Sequence, residues 1–440
     1  MTDDGAGRSS PAGVVVELDS LAPGGDAAGR QRAGGTPGDT SSSAGDGRVV
    51  FVPLGAPGER VRVSLVREKE RVAWGELVAI ERAGPDRVAP ACPLFGSCGG
   101  CQWQHVTLEA QHRAKKTIVE RALALPAIEP VVAAGPPLGY RDRAKLAVGQ
   151  GSAPRPVGFR ARRSHAVVDV PTCPLLSPAL DAVLPAVRAL AAQLPAGAEI
   201  DLQAGAEGVH VNVAQLDGAG AALVRRDADR LLAAGVAGVA LAGKHLIGRT
   251  EVDAAERGGA PLPVPAGGFA QVGRAGNAVL VARVLAAVGP APGVVLELHA
   301  GSGNFTRELT AVATRVVACE GDPAAVARGR RAAPKAEWNG SGRLPDIADI
   351  AADVVVLDPP REGADAAHLA AATRARRRVV YVSCDAQTLA RDARRIVAAG
   401  FRLASAQAID LMPQTFHVEV IAVFDRVPDR VGDGSSRAGD

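Results

Sequence analysis

Hydrophobic and polar residues alternate in short segments near the start of this chain. The segments are Val14–Leu18, Val49–Val52, Arg60–Val66 and Arg71–Ile80, and most are separated by glycine or proline turns. Alternation with a period of two indicates strands that bury one face. Short, evenly spaced strands predict a small barrel of the oligonucleotide-binding type. An accessory barrel without a ligand is the alternative at this point.

The middle of the chain mixes two patterns. Helical periodicity marks some segments, and short apolar runs mark others. The predicted helices are Gln104–Leu125, Pro185–Leu194 and Ala219–Ala234, and the predicted strands are Glu199–Leu202, Val209–Val213 and Val239–Ala242. We therefore expect a mixed α/β region here.

Apolar runs rich in β-branched residues dominate the last third of the chain. Predicted strands are Val294–Leu298, Arg315–Cys319, Val354–Leu357, Val379–Val382, Arg402–Ala408 and Val418–Phe424, and predicted helices are Ala275–Val288 and Ala390–Ala399. Such runs are typical of a parallel sheet covered by helices. Ligands of open α/β sheets bind outside the carboxyl ends of the strands, so the residues that follow these runs are candidate site residues.

Length and low-complexity segments complete the domain plan. The 440 residues suggest two to three domains, which we place at 11–87, 88–265 and 266–427. Gly29–Asp46 is rich in Gly, Ser, Pro and Thr and predicts a flexible insertion in the barrel. The polar ends, residues 1–10 and 428–440, are expected to be disordered.

Charge and hydropathy narrow the class of protein. The net charge of +3 is too small to identify a nucleic-acid partner, so any basic binding surface must be local. The sequence lacks both a long apolar run and a signal-peptide pattern. We expect a cytoplasmic protein without membrane contact that acts as a monomer.

Three cysteines lie close together between the barrel and the middle region. They are Cys92, Cys98 and Cys101, separated by Gly and Pro turns, and Cys173 follows beside prolines as a candidate fourth ligand. Thiolates select zinc or iron–sulfur clusters, and the spacing does not choose between the two. Buried thiols without a metal are the remaining alternative.

Basic and aromatic residues follow in two segments. Tyr140–Lys145 and Arg155–Arg163 together hold seven Arg and Lys residues and one acid, Asp142. Arg141 and Arg160 are candidates for phosphate contacts, and Tyr140 and Phe159 for stacking on bases. A solvated strand face is the plainer interpretation, but the neighbouring barrel favours RNA.

A strand, a glycine turn and a helix start form a nucleotide-binding entry at Val294–Phe305. Glycines there let the backbone approach a ligand. Glu297 at the head of the turn is more typical of S-adenosylmethionine enzymes than of dehydrogenases, which stay possible on this signal alone. Glu320, after the next strand, could bind both ribose hydroxyls of that cofactor.

Two later strand ends carry reactive groups. Asp358-Pro359-Pro360-Arg361 follows one strand and Ser383-Cys384-Asp385 follows the next, while Glu419 lies in a last H-V-E segment. A thiolate that adds to carbon 6 of uracil makes carbon 5 nucleophilic, and a base must later remove the carbon 5 proton. We predict Cys384 as nucleophile and Glu419 as base. Asp358 would hold the pyrimidine or the cofactor, and Arg361 would stabilise charge on the ring oxygen.

These motifs resemble the class I RNA uracil-5-methyltransferases across nearly the whole chain. The motifs are F-A-Q-V, E-L-H-A-G-S-G-N-F-T, C-E-G-D, D-P-P-R-E-G-A, V-S-C-D-A-Q-T-L-A-R-D and H-V-E. The first seventy or so residues resemble a TRAM domain, an RNA-binding barrel. The resemblance implies a multidomain α/β protein with a TRAM-like barrel, a central α/β domain with an iron–sulfur site, and a Rossmann-like methyltransferase domain.

The resemblance also implies residue roles. S-adenosylmethionine contacts fall on Gln271, His299, Asn304, Glu320 and Asp358, and the four cysteines would hold a [4Fe–4S] cluster. The family branch with a TRAM domain and these cysteines modifies uridine in 23S ribosomal RNA, so RNA is the expected partner. The target base would have to be flipped out of its stack.

The chain departs from the family pattern in three places. Gly273 and Asp385-Ala386 replace the usual residues, and the segment between Glu320 and Asp358 is short, without a clear acidic residue for the adenine near Trp338. Two alternatives stay open. The shortened segment is the reason to consider an RNA-binding homologue that has lost methyl transfer and acts in ribosome assembly. The other alternative is a tRNA uracil-5-methyltransferase, which the four cysteines and the barrel disfavour.

Overall fold

The computed structural model describes residues 13–31, 47–255, 261–340 and 350–428. The strands are β1 (Val14–Leu21), β2 (Ala27–Gln31), β3 (Val49–Val52), β4 (Arg60–Glu68), β5 (Val72–Arg82), β6 (Val132–Ala133), β7 (Arg143–Val148), β8 (Val157–Arg160), β9 (Val167–Asp169), β10 (Glu199–Gly205), β11 (Gly208–Ala214), β12 (Val236–Leu241), β13 (Lys244–Gly248), β14 (Glu251–Asp253), β15 (Pro263–Pro265), β16 (Val294–Leu298), β17 (Arg315–Cys319), β18 (Glu337–Asn339), β19 (Val354–Leu357), β20 (Arg378–Ser383), β21 (Phe401–Asp410) and β22 (Glu419–Arg426). The helices are α1 (Leu108–Leu123), α2 (Pro178–Ala191), α3 (Gly218–Ala233), α4 (Arg274–Val288), α5 (Thr306–Val312), α6 (Pro323–Ala332), α7 (Ala366–Ala372) and α8 (Ala386–Ala398).

The predicted barrel is confirmed. Its five strands close in the order β1-β2-β3-β5-β4. The predicted insertion at Gly29–Asp46 was wrong at its start, because Gly29, Arg30 and Gln31 belong to β2 and pair with β1. A Cβ at Gly29 would lie 2.0 Å from the Glu17 carbonyl oxygen, so glycine here allows close strand approach rather than flexibility. Residues 32–46, the predicted end 1–10 and nearly all of 428–440 lie outside the described residues.

The middle region is a mixed α/β unit, as predicted. Its seven strands have the order β13-β12-β11-β10-β7-β8-β9, and α2 and α3 pack on strands of this sheet. Helix α2 begins seven residues before the predicted start at Pro185, because Pro178 takes the first helical position, where a missing N–H costs nothing. Pro185 lies inside the helix.

The last third forms an eight-stranded sheet that positions the candidate site. Its order is β18-β17-β16-β19-β20-β22-β21-β6, in which β16, β17, β19 and β20 are parallel and β22 runs antiparallel to β20. Strand β6 comes from the predicted central domain and pairs with β21. The carboxyl ends of β19 and β20 and the beginning of β22 therefore meet at one edge.

One hydrophobic core joins the barrel to this sheet. It runs from barrel residues such as Val16 through Trp103 and Ile118 of the connecting segment to Leu389 and Phe424. Within the described ranges, no helix is long and apolar enough to cross a membrane.

Candidate active site

The thiol of Cys384 and the carboxyl of Glu419 open into one cavity. Cys384 follows β20 directly, and Glu419 is the first residue of the antiparallel strand beside it, next to the Ser383–Val420 pair. The cavity measures about 590 Å³. Its lining includes the predicted site residues Gln271, Asp358, Arg361, Cys384, Glu419 and Arg141. The structure thus brings together side chains that lie far apart in the sequence.

Burial and like charges shape the chemistry of this pair. Burial raises the pKa of Cys384, the carboxylates of Glu419 and Asp358 raise it further, and the Arg361 guanidinium lowers it by charge and a hydrogen bond. Glu419 is 4% exposed. Burial and the Asp358 charge raise its pKa well above the usual value, and Arg361 opposes that rise. Both groups therefore favour their protonated forms more than exposed groups of the same type would, and the Arg361 guanidinium opposes this in each case.

Asp358 is the third acid of the site. It begins the loop that follows β19, and burial raises the pKa of its carboxyl to about 7. Because Asp358 and Glu419 repel each other as anions, the site disfavours ionisation of both at once. The Arg361 guanidinium favours the anionic form of both Glu419 and the Cys384 thiol.

Two of the predicted cofactor contacts, His299 and Asn304, lie on the glycine turn after β16, and Glu320 follows the neighbouring strand β17. Glu320 is fixed by two backbone donors, since its carboxylate accepts from Gly301 N–H at 2.9 Å and from Asp322 N–H at 2.8 Å. Asn304 exchanges two side-chain amide hydrogen bonds with Asn277, at 2.8 and 2.9 Å. Such ties hold the polar groups in one orientation before a ligand arrives.

His299 lies on the same turn in a left-handed conformation, with φ of 60°. Its ring packs on that of His368 with centroids 4.3 Å apart. Burial, with the adjacent His368, lowers its pKa to about 4, so the ring is neutral at physiological pH. Its Nε2 is buried and has no hydrogen-bond partner within the described residues, which leaves that nitrogen available to a ligand.

Glu297, near the end of β16, forms a hydrogen bond that links this strand to the helix after the glycine turn. It is 2% exposed, and its carboxyl accepts a 2.6 Å hydrogen bond from the Thr306 hydroxyl. Burial raises its pKa to about 8, with smaller contributions from the charges of Asp358 and Glu320. Glu297 therefore connects β16 to the start of α5.

The four predicted ligand cysteines surround a second cavity. Cys92, Cys98, Cys101 and Cys173 all line a space of about 40 Å³. Burial raises the pKa of the Cys98 and Cys173 thiols and that of Cys101 to about 11, while the positive charge of Arg141 lowers all three. Across the described ranges, no three His, Cys, Asp or Glu side chains are arranged to hold a single metal ion. Cys319, the last residue of β17, is separate from this group and is buried in the core.

The predicted RNA-contact residues of the two basic segments lie in different parts of the structure. Arg141 lines both cavities. Tyr140 donates from its hydroxyl to the Pro413 carbonyl oxygen at 3.0 Å, and Phe159 lines the thiol cavity, so both rings have packing roles. Arg160 is half-exposed and lies 3.5 Å from the Glu199 carboxylate.

Phe269 is a candidate residue that the sequence reasoning did not single out. It is 74% exposed at the cavity wall, and the Arg143 guanidinium carbon lies 5.4 Å from its ring centroid. An exposed aromatic ring beside a cation is a platform on which a base can stack. Phe269 is part of the F-A-Q-V motif, from which the sequence comparison with the family assigned a role only to Gln271.

Known proteins resemble this chain along most of its length. A profile of the tRNA (uracil-5-)-methyltransferase family matches residues 336–427. The 23S rRNA (uracil(1939)-C(5))-methyltransferase RlmD of Chromohalobacter salexigens is 36% identical over 416 residues, covering 86% of this chain and 85% of the relative. The enzyme of the same name from Yersinia enterocolitica is 34% identical and covers 87% and 91%.

One solved structure shares the fold. It is the Pyrococcus abyssi tRNA (uracil-54, C5)-methyltransferase in complex with S-adenosyl-L-homocysteine. The TM-score is 0.69 at 22% identity, and the match covers 86% of this chain and 96% of that one. At this level of sequence identity, the similarity shows a shared fold.

Proposed function

Because this chain belongs to the family of 23S rRNA uracil-C5-methyltransferases, we propose that it methylates carbon 5 of a uracil in 23S rRNA with S-adenosylmethionine as methyl donor. The observation that carries the assignment is the single cavity lined by Cys384, Glu419, Asp358 and Arg361. A thiol and a separate buried carboxyl are the two groups that this chemistry requires.

The cofactor side of the site fits S-adenosylmethionine. The ligand set would be Gln271, His299, Asn304, Glu320 and Asp358. The fixed Glu320 carboxylate suits ribose hydroxyls, and the unpaired Nε2 of His299 can pair with a polar group of the ligand. When bound, S-adenosylmethionine supplies an electrophilic methyl group.

The protein's own groups would act in a fixed order. The Cys384 thiolate forms a bond to carbon 6 of uracil, and the electron pair of the 5,6 double bond moves toward the ring oxygen. Arg361 stabilises that negative charge. After carbon 5 has gained the methyl group, Glu419 removes the carbon 5 proton. The electrons of the C–H bond restore the double bond and expel the thiolate of Cys384.

RNA would enter over the basic and aromatic wall of the cavity. Arg141, Arg143, Lys145 and Phe269 line it. Because the thiol lies at a strand end inside this cavity, the target base must leave its stack to reach it. The five-stranded barrel would act as a TRAM-like second RNA contact, and Arg160 as a phosphate contact.

The thiol cavity would hold a [4Fe–4S] cluster. Four soft sulfur donors that enclose one space match the ligand set of such clusters, and the adjacent positive charge of Arg141 would balance the anionic thiolates. The cluster would support the fold rather than donate electrons. We expect anaerobically purified protein to contain iron and sulfide, and the Cys173→Ser variant to lose most of both. Absence of iron from protein reconstituted with iron and sulfide would contradict the proposal.

The activity itself is tested with purified protein. Incubation with S-adenosylmethionine and unmodified 23S rRNA should produce 5-methyluridine, detected by mass spectrometry of digested RNA. Calorimetry with S-adenosylmethionine is the companion measurement, since no binding and no product would favour an RNA-binding homologue without methyl transfer. Product on transfer RNA but not on 23S rRNA would overturn the substrate assignment.

A further inference from the structure

The buried carboxylate of Asp392 has no role in the proposed chemistry, but it contacts the Asp358–Ala364 loop that follows β19. Asp392 on α8 is fully buried. Its Oδ2 accepts hydrogen bonds from the Tyr381 hydroxyl at 2.7 Å and from Ala364 N–H at 3.0 Å, and its Oδ1 accepts from Arg391 Nε at 2.8 Å. Burial and the Asp392 charge raise the pKa of Tyr381, so the phenol keeps its proton and donates.

These contacts end on the loop that carries the reactive groups. Ala364 closes the loop from Asp358, and its N–H also lies 3.2 Å from the Tyr381 hydroxyl. Arg391 donates from a second nitrogen to the Glu362 carbonyl oxygen at 2.8 Å. The backbone directly after Arg361 is therefore held at two points, by two adjacent residues of one helix.

The Asp358–Ala364 loop packs tightly against α8 at Gly363. Gly363 has φ of 83°, and a Cβ built there would lie 2.4 Å from Arg391 Nη2 and 2.5 Å from Asp392 Oδ2. Glycine is thus required both by the backbone conformation and by the close approach to the two side chains. The loop fits against α8 at this point.

The same helix begins immediately after the nucleophile. Asp385 caps α8 by accepting from the N–H groups of Gln387 and Thr388, each at 2.9 Å. Tyr381 lies on β20, the strand that ends just before Cys384. Asp392 therefore connects the segment with Arg361 to both elements that flank Cys384.

We infer that Asp392 is a positioning residue, which with Tyr381 and Arg391 fixes the Asp358–Ala364 loop so that the Arg361 guanidinium stays beside the Cys384 thiol. The inference deepens the proposed function, because it concerns how the proposed nucleophile is activated. Loosening the loop moves a positive charge away from the thiol, while the basic and aromatic wall of Arg141, Arg143, Lys145 and Phe269 lies on other segments.

The test uses the pH dependence of Cys384 alkylation by iodoacetamide in the full-length protein, followed by peptide mass spectrometry. Asp392→Asn keeps the size of the side chain but replaces one acceptor oxygen with a donor. It should shift the alkylation profile of Cys384 upward by about one pH unit. Gly363→Ala disturbs the same contact from the loop and should shift the profile in the same direction.

The second readout is adduct formation with RNA that contains 5-fluorouridine. Asp392→Asn should slow it about tenfold or more, because it loses hydrogen bonds to a charged group, while the Kd for RNA changes less than about twofold. Glu362→Gln is the matched control, since it removes a carboxylate from the same loop and leaves every contact described here in place. It should keep the wild-type alkylation profile.

The possible results distinguish a role of Asp392 in positioning Arg361 from a role in the stability of the fold alone. A lower Tm with an unchanged alkylation profile in both Asp392→Asn and Gly363→Ala would overturn the inference. If Asp392→Asn does not fold, Tyr381→Phe with Gly363→Ala decides the question by the same profile. Alkylation needs no RNA, so a failure of wild-type protein to form any RNA adduct would refute the proposed function and leave this test intact.

Discussion

At the scale of single residues, the site places a thiol among acids that oppose its ionisation. Burial and the charges of Glu419 and Asp358 raise the pKa of Cys384, and the Arg361 guanidinium lowers it. The resting thiol is therefore protonated at neutral pH, which protects it from oxidation and makes its reaction depend on pH.

The first prediction concerns this pH dependence. Adduct formation on 5-fluorouridine RNA should become faster as pH rises from 6 into the alkaline range, because a group with a raised pKa loses its proton only there. Arg361→Gln should move the rising limb to higher pH, since a favourable charge is lost. Single-turnover rates across this range are the measurement. A profile that falls with increasing pH would contradict the role of the thiolate.

The second prediction concerns Glu297. Its pKa of about 8 in the folded protein exceeds the ordinary value of about 4.5, so folding takes up a proton between these pH values. Stability from this group is present at low pH and is lost as pH rises toward 8. Glu297→Gln has no proton to take up. The Tm difference between variant and wild type should therefore grow from pH 5 to 8 and level off above, and a constant difference would contradict the raised pKa.

At the scale of elements, strand ends and the loops between them build the site. The predicted strands Val354–Leu357 and Val379–Val382 were confirmed as β19 and as part of β20, because buried parallel strands leave a continuous apolar run in the sequence. The antiparallel course of β22, which brings Glu419 back to the same edge, leaves no such signal. Glu419 was predicted because the reaction requires a base, and not from the pattern of apolar residues.

Phe269 belongs to a loop, and the third prediction concerns it. Phe269→Ala should raise KM for RNA about tenfold, because loss of one stacked base costs ~1–3 kcal/mol. Binding of S-adenosylmethionine should change much less, since Phe269 is not a proposed cofactor contact and Gln271, which is one on the same loop, keeps its side chain. Steady-state kinetics and calorimetry measure the two effects. An unaltered KM for RNA would exclude Phe269 from the RNA surface.

Part of the site could not be predicted from local sequence. Arg141 lies between the thiol cavity and the reactive cavity, a position that depends on how the central sheet meets the last one. Tyr140 and Phe159 were predicted from composition to stack on bases, and their contacts with the Pro413 carbonyl and with the thiol cavity were not foreseen. Exposure of Phe269 likewise follows from the packing of a whole loop, which periodicity does not describe.

At the scale of the whole molecule, buried polar contacts join the connecting segment to the catalytic sheet. Lys115 of α1 is fully buried and donates to Asp410 of β21 at 2.5 Å. Gln111 of the same helix donates to the Gln414 side chain at 3.1 Å and accepts from Gln414 N–H at 2.8 Å. The segment between barrel and central sheet is thus part of the same folded core.

The fourth prediction follows from the buried ion pair. Lys115→Met should lower the free energy of unfolding by ~3–5 kcal/mol, because it leaves the buried Asp410 carboxylate without its cation. Lys116 of the same helix is partly exposed and lies 3.7 Å from the Glu120 carboxylate. Replacing it with Met is the control and should change stability by less than ~1 kcal/mol. Urea denaturation measures both. Equal stability of the two variants would show that the pair does not support this junction.

The proposal that Cys384 attacks uracil and Glu419 releases it is tested most directly by the Glu419→Gln variant. Incubated with S-adenosylmethionine and unmodified 23S rRNA, this variant should accumulate a covalent protein–RNA adduct whose uracil already carries the methyl group, seen by denaturing gel and mass spectrometry. Adding Cys384→Ser should abolish the adduct. Wild-type turnover by Glu419→Gln, or an adduct that persists without Cys384, would contradict the mechanism.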